Sequence, residues 1–283
     1  MRRILSVLLA LVMSCASIFA LVSCSGSDGE KDLENIKAAG KLVVGMECAY
    51  APYNWSQTSS NEYTVKIGDN LYADGYDVQI AKKIADYLGV TLEIKPIVWD
   101  GLITALESKS IDMIIAGMSP TEERKVNIDF SDTYFDSNLV MVVKKDGAYA
   151  NATKISDFSG AKITGQLNTF HYKVIDQISG VKKQTALDDF AALIEALSSD
   201  SIDGYVCEKP GAVSAVAANP DFKYIEFSNN DGFECDPAES SISVGIRKNS
   251  SLTAEINKCL ASITKEQRED MMNAAIARQP VEE

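Results

Sequence analysis

"LITALESKSIDMIIAG" (residues 102–117) and "LIEALSSDSIDGYVCE" (residues 193–208) are two copies of one pattern. At a constant offset of 91, Leu102 matches Leu193, Ile103 Ile194, Ala105 Ala196 and Leu106 Leu197. The register continues through Ser108 and Ser199, Ser110 and Ser201, Ile111 and Ile202, Asp112 and Asp203. Each copy reads as an amphipathic helix, a polar turn and a short apolar strand. A period this long does not make a solenoid; it makes two similar α/β lobes. An LIxAL helix gains a few matches by chance, but the identical "SID" exits go beyond that.

The rest of the chain alternates in the same way. "KLVVGM" (41–46) is a buried-strand run, and "TLEIKPIV" (91–98) alternates as a strand does. Between them, "DVQIAKKIADYLG" (77–89) spaces Ile80, Ile84 and Leu88 along one helical face, with Gly89 to end it. "NLVMVVKK" (138–145), "AKITG" (161–165) and "ISVGIRK" (242–248) are further strands, and "LTAEINKCLASI" (252–263) is a closing helix. Strands alternating with helices predict a mainly parallel sheet in each lobe, with ligands beyond the carboxyl ends of the strands.

The N-terminus sets the compartment. "MRRILSVLLALVMSCASIFALVSC" has a basic start and an apolar stretch to Val22, the pattern of a secretory leader over residues 1–23. "LVSC" resembles the lipobox of bacterial lipoproteins, which makes Cys24 the lipidated residue and 24–34 a flexible tether. An uncleaved anchor is the alternative. The formal charge of −13 becomes −15 without Arg2 and Arg3, which argues against a nucleic-acid partner. Cys48, Cys207, Cys235 and Cys259 remain, and their pairing is open. No CxxC or Cys/His ligand spacing occurs and the only histidine is His171, so neither metal nor cofactor is expected.

Functional residues cluster after the strands. In "AGMSPTEER" (116–124), Ser119 reads as a helix N-cap, Pro120 as the first helical residue and Glu122 as its capping-box partner. Arg124 then sits against the positive end of a helix, which suits an anionic ligand. Glu208 occupies the position that the repeat pairs with Gly117. "TGQLNTF" (164–170) starts another helix, capped by Asn168 or Thr169. A guanidinium, two helix starts and a carboxylate suit an α-amino acid. Glu47, Tyr50, Tyr53 and Trp55 follow the first strand, and Trp99 follows another, as a stacking lining would.

On "KLVVGMECAYAPYNW", "GYDVQIAKKIADYLGV", "GMSPTEER", "FSDTYF" and "SIDGYVCEKP", the chain resembles the extracellular amino-acid-binding proteins of ABC importers, over essentially its whole length past the leader. The resemblance implies a clamshell of two α/β lobes joined by two crossover strands. Lobe 1 would be 35–136 with 241–283, and lobe 2 would be 137–240. Arg124 would grip the ligand carboxylate with Ser119 and Thr169. Glu208, where many members have Asp, would take the ammonium with the Gly117 backbone. Tyr50 and Trp99 would sandwich the side chain, Glu47 would lie at its distal end, and Gln166 and Phe170 would line the second wall.

Two stretches depart from the family pattern: "QLNTF", where Gly then Ser or Thr is usual, and "SQTSSNEYTVKIGDNLYAD" (56–74), read as a hairpin at the cleft edge. The expected function is capture of a free L-amino acid, cationic slightly favoured, by a lipid-anchored monomer on the outer face of the cytoplasmic membrane. Delivery to a membrane permease would follow. A cyclohexadienyl-dehydratase-like enzyme and a ligand sensor are the alternatives on the same scaffold.

Overall fold

The computed structural model describes residues 29–228, 231–237 and 239–280. The leader and Cys24 lie outside the described residues. The chain begins with α1 (Asp32–Ala39), β1 (Lys41–Met46), β2 (Ala49–Tyr50), β3 (Asn54–Gln57), β4 (Val65–Gly68), β5 (Leu71–Asp74) and α2 (Tyr76–Leu88). Next come β6 (Thr91–Pro96), α3 (Leu102–Glu107), β7 (Met113–Ile114), α4 (Glu122–Asn127) and β8 (Ile128–Asp136). The second half opens with β9 (Leu139–Lys144), β10 (Lys162–Thr164), α5 (Phe170–Val174), β11 (Lys182–Lys183), α6 (Phe190–Ser198), β12 (Gly204–Glu208), α7 (Lys209–Ala218) and β13 (Phe222–Glu226). β14 (Ser241–Arg247), α8 (Thr253–Ala261) and α9 (Lys265–Arg278) complete it. Among the described residues no helix is long and apolar enough to cross a membrane.

The two repeat copies fold alike, atom for atom at their turns. Helices α3 and α6 bury Leu102 and Leu106, and Leu193 and Leu197, at the matching positions. Each helix is followed by a residue in the left-handed region, Lys109 (φ 62°) or Asp200 (φ 60°). The Ser110 and Ser201 amides each donate back to an alanine carbonyl, Ala105 or Ala196, at 3.0 Å. The repeated aspartates pin the helix exit to the neighbouring strand. Asp112 accepts from the Val43 amide and Asp203 from the Lys162 amide, both at 2.8 Å.

These units seat β7 and β12 at the centre of two five-stranded sheets with the same plan, β6-β1-β7-β14-β8 and β11-β10-β12-β9-β13. The sheets are mixed, which corrects the expectation of mainly parallel ones. β1 runs parallel to β6 and β7, and β10 to β11 and β12. β14 opposes β7 and β8, and β9 opposes β12 and β13. The opposing strands β9 and β14 are those that arrive from the other sheet, without the helical crossover that makes neighbours parallel. The two crossings run side by side: Asp136 pairs with Ser241, and the Ser137 amide donates to the Ser240 carbonyl at 3.1 Å.

The stretch 56–74 does form a hairpin, β4–β5, within a third sheet of order β2-β3-β5-β4. Its outer part packs on α2 and the C-terminus rather than over the cleft. Gln79 and Lys82 donate to the Tyr63 and Glu62 carbonyls, and the Arg278 guanidinium lies 4.0 Å over the Tyr63 ring. At its end, Gly75 is left-handed with φ 131°, where a Cβ would come within 2.2 Å of the Tyr53 carbonyl oxygen. Only glycine fits that bend.

Residues 32–34, read as tether, instead open α1 and pack on the body. Asp32 is buried and meets Arg247, which is buried too, with Nη2 at 2.8 Å and Nε at 3.0 Å. Ser250 Oγ donates to the same carboxylate at 2.6 Å, and Arg247 Nη1 donates to the Leu106 and Ile111 carbonyls. Removing one partner leaves the other charge buried and unpaired. Asp32→Ala is expected to cost about 3 kcal/mol, a fall in melting temperature of roughly 6–12 °C. A thermal melt unchanged by the substitution would contradict the role given to the pair.

Candidate ligand-binding site

The carboxyl ends of β1 and β7 on one sheet face those of β10 and β12 on the other. Of the ten residues named from the sequence, nine surround one cavity there, together with Ala116 and His171. The tenth, Glu47, stands next to it through Gln166, whose Nε2 donates to the Glu47 carboxylate at 3.0 Å. The enclosed volume is about 10 Å³, room for one water, because the lining groups reach one another across it. A ligand must therefore exchange its own bonds for these. A larger space of about 950 Å³ lies beside Phe190, between Trp55, Glu195 and Gln279. Among the described residues it has carboxylates but no cationic side chain opposite them, so it offers one pole where this cavity offers two.

The positive pole is Arg124. Helix α4 starts two residues later than the sequence suggests: Thr121, not Ser119, is its N-cap, and its hydroxyl accepts from the Arg124 amide at 3.3 Å. Ser119 is buried, and its carbonyl serves the site directly by accepting from Arg124 Nη1 at 2.9 Å. Nη2 donates to the Asn168 carbonyl at 3.3 Å, and the guanidinium lies 5.0 Å over the Trp99 ring. Burial brings the Arg124 pKa down to about 10, against the raising effect of Glu123, Glu208 and Glu239, so it stays charged at neutral pH. With six residues α4 has little dipole, and the guanidinium itself is the cation.

The negative pole is Glu208, 1 % exposed at the end of β12. The Tyr50 hydroxyl donates to one oxygen, and His171 Nε2 lies 2.9 Å from the other. That oxygen sits off the ring N–H direction, so neither His171 nitrogen makes an aligned hydrogen bond and the contact is electrostatic. Burial alone would raise the carboxyl, but His171, the Tyr50 hydroxyl and the Glu208 backbone amide hold it below the usual range. Tyr50 is fixed by stacking on Phe190, with centroids 3.9 Å apart at 11°. The Tyr50 ring thus lies on Phe190, and the Trp99 ring on Arg124.

At the distal end, burial pushes the Glu47 carboxyl up to about 7; the Gln166 hydrogen bond opposes this, and Asp189 and Asp100 add to it. A cation placed there would be welcomed by carboxylates from both sheets. The "QLNTF" loop departs from the family pattern with a purpose. Asn168 takes the left-handed conformation (φ 56°) and its Nδ2 donates to Asp100 at 2.9 Å, tying the sheets together. Thr169 is the N-cap residue of α5, but its hydroxyl donates to the Gln166 carbonyl at 2.7 Å and closes its own loop. In this arrangement it does not aim that hydroxyl at a ligand carboxylate.

Three contributors escaped the sequence: Asn168 as a bridge, His171 and Asp77. Asp77, in the first turn of α2, is fully buried and accepts from Asn54 Nδ2 at 2.8 Å, from the Tyr134 hydroxyl at 2.7 Å and from the Gly117 amide. Asn54 in turn accepts from the Cys48 amide at 2.7 Å. One carboxylate thus holds the loops that carry Gly117 and Glu47. The cysteines among the described residues are unpaired: Cys48, Cys207, Cys235 and Cys259. No group of His, Cys, Asp and Glu among the described residues could hold a metal ion.

The pattern of bacterial extracellular solute-binding proteins, family 3, matches residues 42–274. The arginine-binding extracellular protein ArtP of Bacillus subtilis is 30 % identical over 259 residues, 89 % of this chain and 90 % of that one. Among solved structures, an amino acid ABC transporter substrate-binding protein from Streptococcus pneumoniae Canada MDR_19A, bound to L-arginine, superposes with TM-score 0.76 at 26 % identity, covering 87 % of this chain and 98 % of that one. The ancestral amino acid-binding protein AncCDT-1, a precursor of cyclohexadienyl dehydratase, gives TM-score 0.71 at 25 % identity, over 86 % and 99 %.

Proposed function

Because the chain belongs to the bacterial extracellular solute-binding proteins, family 3, we propose that it captures one free L-amino acid between its two lobes for an ABC importer. The observation that carries this is the pair of opposite poles, Arg124 from one sheet and Glu208 from the other, on one cavity. A zwitterion joins them: its carboxylate takes the guanidinium fork and its ammonium takes Glu208, with the Ser119 and Gly117 backbone beside them. Neither lobe alone offers both, so ligand stabilises closure by bridging. Lobe 1 takes in all of α1 and so runs over 32–136 with 241–280, and lobe 2 is 137–240, with Gln279 also reaching α7 by donating to the Ser214 carbonyl at 2.8 Å.

The protein works as a lipid-anchored monomer, held through Cys24 at the outer membrane face, and hands its ligand to the permease without chemistry. Relatives described as amino-acid binders support binding over turnover, including the ancestral protein that precedes a dehydratase. Glu47 favours a cationic side chain, and ArtP and the S. pneumoniae protein are described with arginine.

L-Arginine and its neutral isostere L-citrulline test this preference. Glu47 attracts a cation only when ionised, and its carboxyl sits at about 7. The arginine-to-citrulline affinity ratio should therefore be full above neutral pH and fall as pH drops through that value, by up to about tenfold per unit. Glu47→Gln should flatten the ratio. Titration calorimetry giving equal affinities at pH 8 would remove the cationic preference.

A further inference from the structure

His171 is the one histidine of the chain, and it stands against the carboxylate of the negative pole. It is 4 % exposed and lines the same cavity as Arg124 and Glu208. Phe170 stands 4.4 Å from its ring and Phe190 6.2 Å, so apolar walls enclose it. Both ring nitrogens lack an aligned hydrogen bond, and Nε2 lies 2.9 Å from the Glu208 carboxylate. The second oxygen of that carboxylate takes the Tyr50 hydroxyl. Each oxygen that would receive a ligand ammonium already faces a protein donor.

An ammonium and an imidazolium do not share one buried carboxylate at low cost. Two positive charges on one buried carboxylate repel each other, and removal from water strengthens the repulsion. The other charged or titratable groups on the cavity are Arg124, which the ligand carboxylate neutralises, and Tyr50. Glu47 lies one hydrogen bond further off, through Gln166. Asp77 is a further carboxylate near this pole, but it lies behind the cavity lining and is committed to Asn54, Tyr134 and the Gly117 amide. A neutral imidazole removes the repulsion while its Nε2–H still faces the Glu208 carboxylate.

Resting on the amino-acid reading, we propose that His171 is a specificity-determining residue of the ammonium pole, whose ring must be neutral for the ligand to seat. Where the ring is protonated beforehand, capture transfers that proton to solvent. Binding then weakens as pH falls, and ligand in turn drives the ring to its neutral form. The carboxylate pole needs no such exchange, so a carboxylic acid lacking the α-ammonium releases no proton from His171.

The test is titration calorimetry of the untagged full protein at about pH 6, in buffers of different ionisation enthalpy, with L-arginine and L-glutamine as probes. Wild type is expected to release more protons per ligand than His171→Gln. Glu47 and Asp77 are present in both proteins, so the difference reports the His171–Glu208 pair. Equal release by the two proteins would overturn the proposal. A measurement on wild type alone guards against a variant that does not fold. The C2-proton resonance of the single histidine, followed from pH 5 to 8, should keep its neutral-ring shift to lower pH when L-arginine saturates the site. Coincident curves with and without ligand would overturn the proposal as well. Absence of binding heat with every amino acid at every pH is a separate result, which overturns the amino-acid reading and this inference together.

Discussion

Arg124→Ala is expected to abolish measurable amino-acid binding while the protein stays folded. Among the described residues, the guanidinium is the only cationic side chain on the cavity with a fixed positive charge. It is oriented before ligand arrives, by the Ser119 and Asn168 carbonyls and by the Trp99 face. Truncating one partner of a buried, hydrogen-bonded charge pair costs about 2–5 kcal/mol, or roughly 30- to 5,000-fold in affinity. A micromolar binder would fall to millimolar or worse. The fold should survive, because the partners that Arg124 leaves are backbone carbonyls at the cleft. Arg124→Lys restores the charge but not the planar fork, and should recover only part of the loss. Circular dichroism and calorimetry on the same preparations separate binding from folding, and wild-type affinity in the alanine variant would contradict the role of Arg124.

Glu208→Gln is expected to have the second largest effect, about 2–4 kcal/mol, or roughly 30- to 1,000-fold weaker binding. The amide keeps an acceptor for the Tyr50 hydroxyl, so the stack on Phe190 should persist. What disappears is the negative charge that opposes an ammonium. The loss should fall on the ammonium alone: an amino acid should bind the variant no better than its deaminated analogue does. Glu208→Asp keeps the charge, drawn back by one methylene, and should lose less than the glutamine variant. Equal affinities for Glu208→Gln and wild type would show that the ammonium is held elsewhere.

Much of this architecture was legible because the repeat is chemical as well as numerical. Ser110 and Ser201 close the same turn, and Asp112 and Asp203 pin the same neighbouring strand. Local sequence therefore carried the sheet plan and put Gly117 and Glu208 at matching strand ends. The antiparallel strands were not legible, because β9 and β14 owe their direction to partners far away in the chain. The N-cap was misplaced by two residues since Ser119 and Thr121 satisfy the same local rule. Burial of Ser119 and use of its carbonyl by Arg124 decide between them. The stacking partner of Tyr50 was not legible for a similar reason: Phe190, far away in the chain, covers the Tyr50 face. His171 and Asp77 carry no motif. One matters because Glu208 lies beside it, the other because Gly117 and Asn54 converge on it, and both facts are tertiary.

The central claim is that the cleft recognises the α-carboxylate and α-ammonium of one free amino acid. The most direct measurement is a thermal-shift titration of the full protein against the free L-amino acids, each paired with its Nα-acetyl and α-amide derivatives. At least one free amino acid, with arginine foremost, is expected to raise the melting temperature progressively with concentration, as mass action requires. Both of its blocked derivatives, which remove one charge each, should leave the melt unchanged. A blocked derivative that stabilises as well as the parent, or a panel in which no free amino acid stabilises at all, would contradict it.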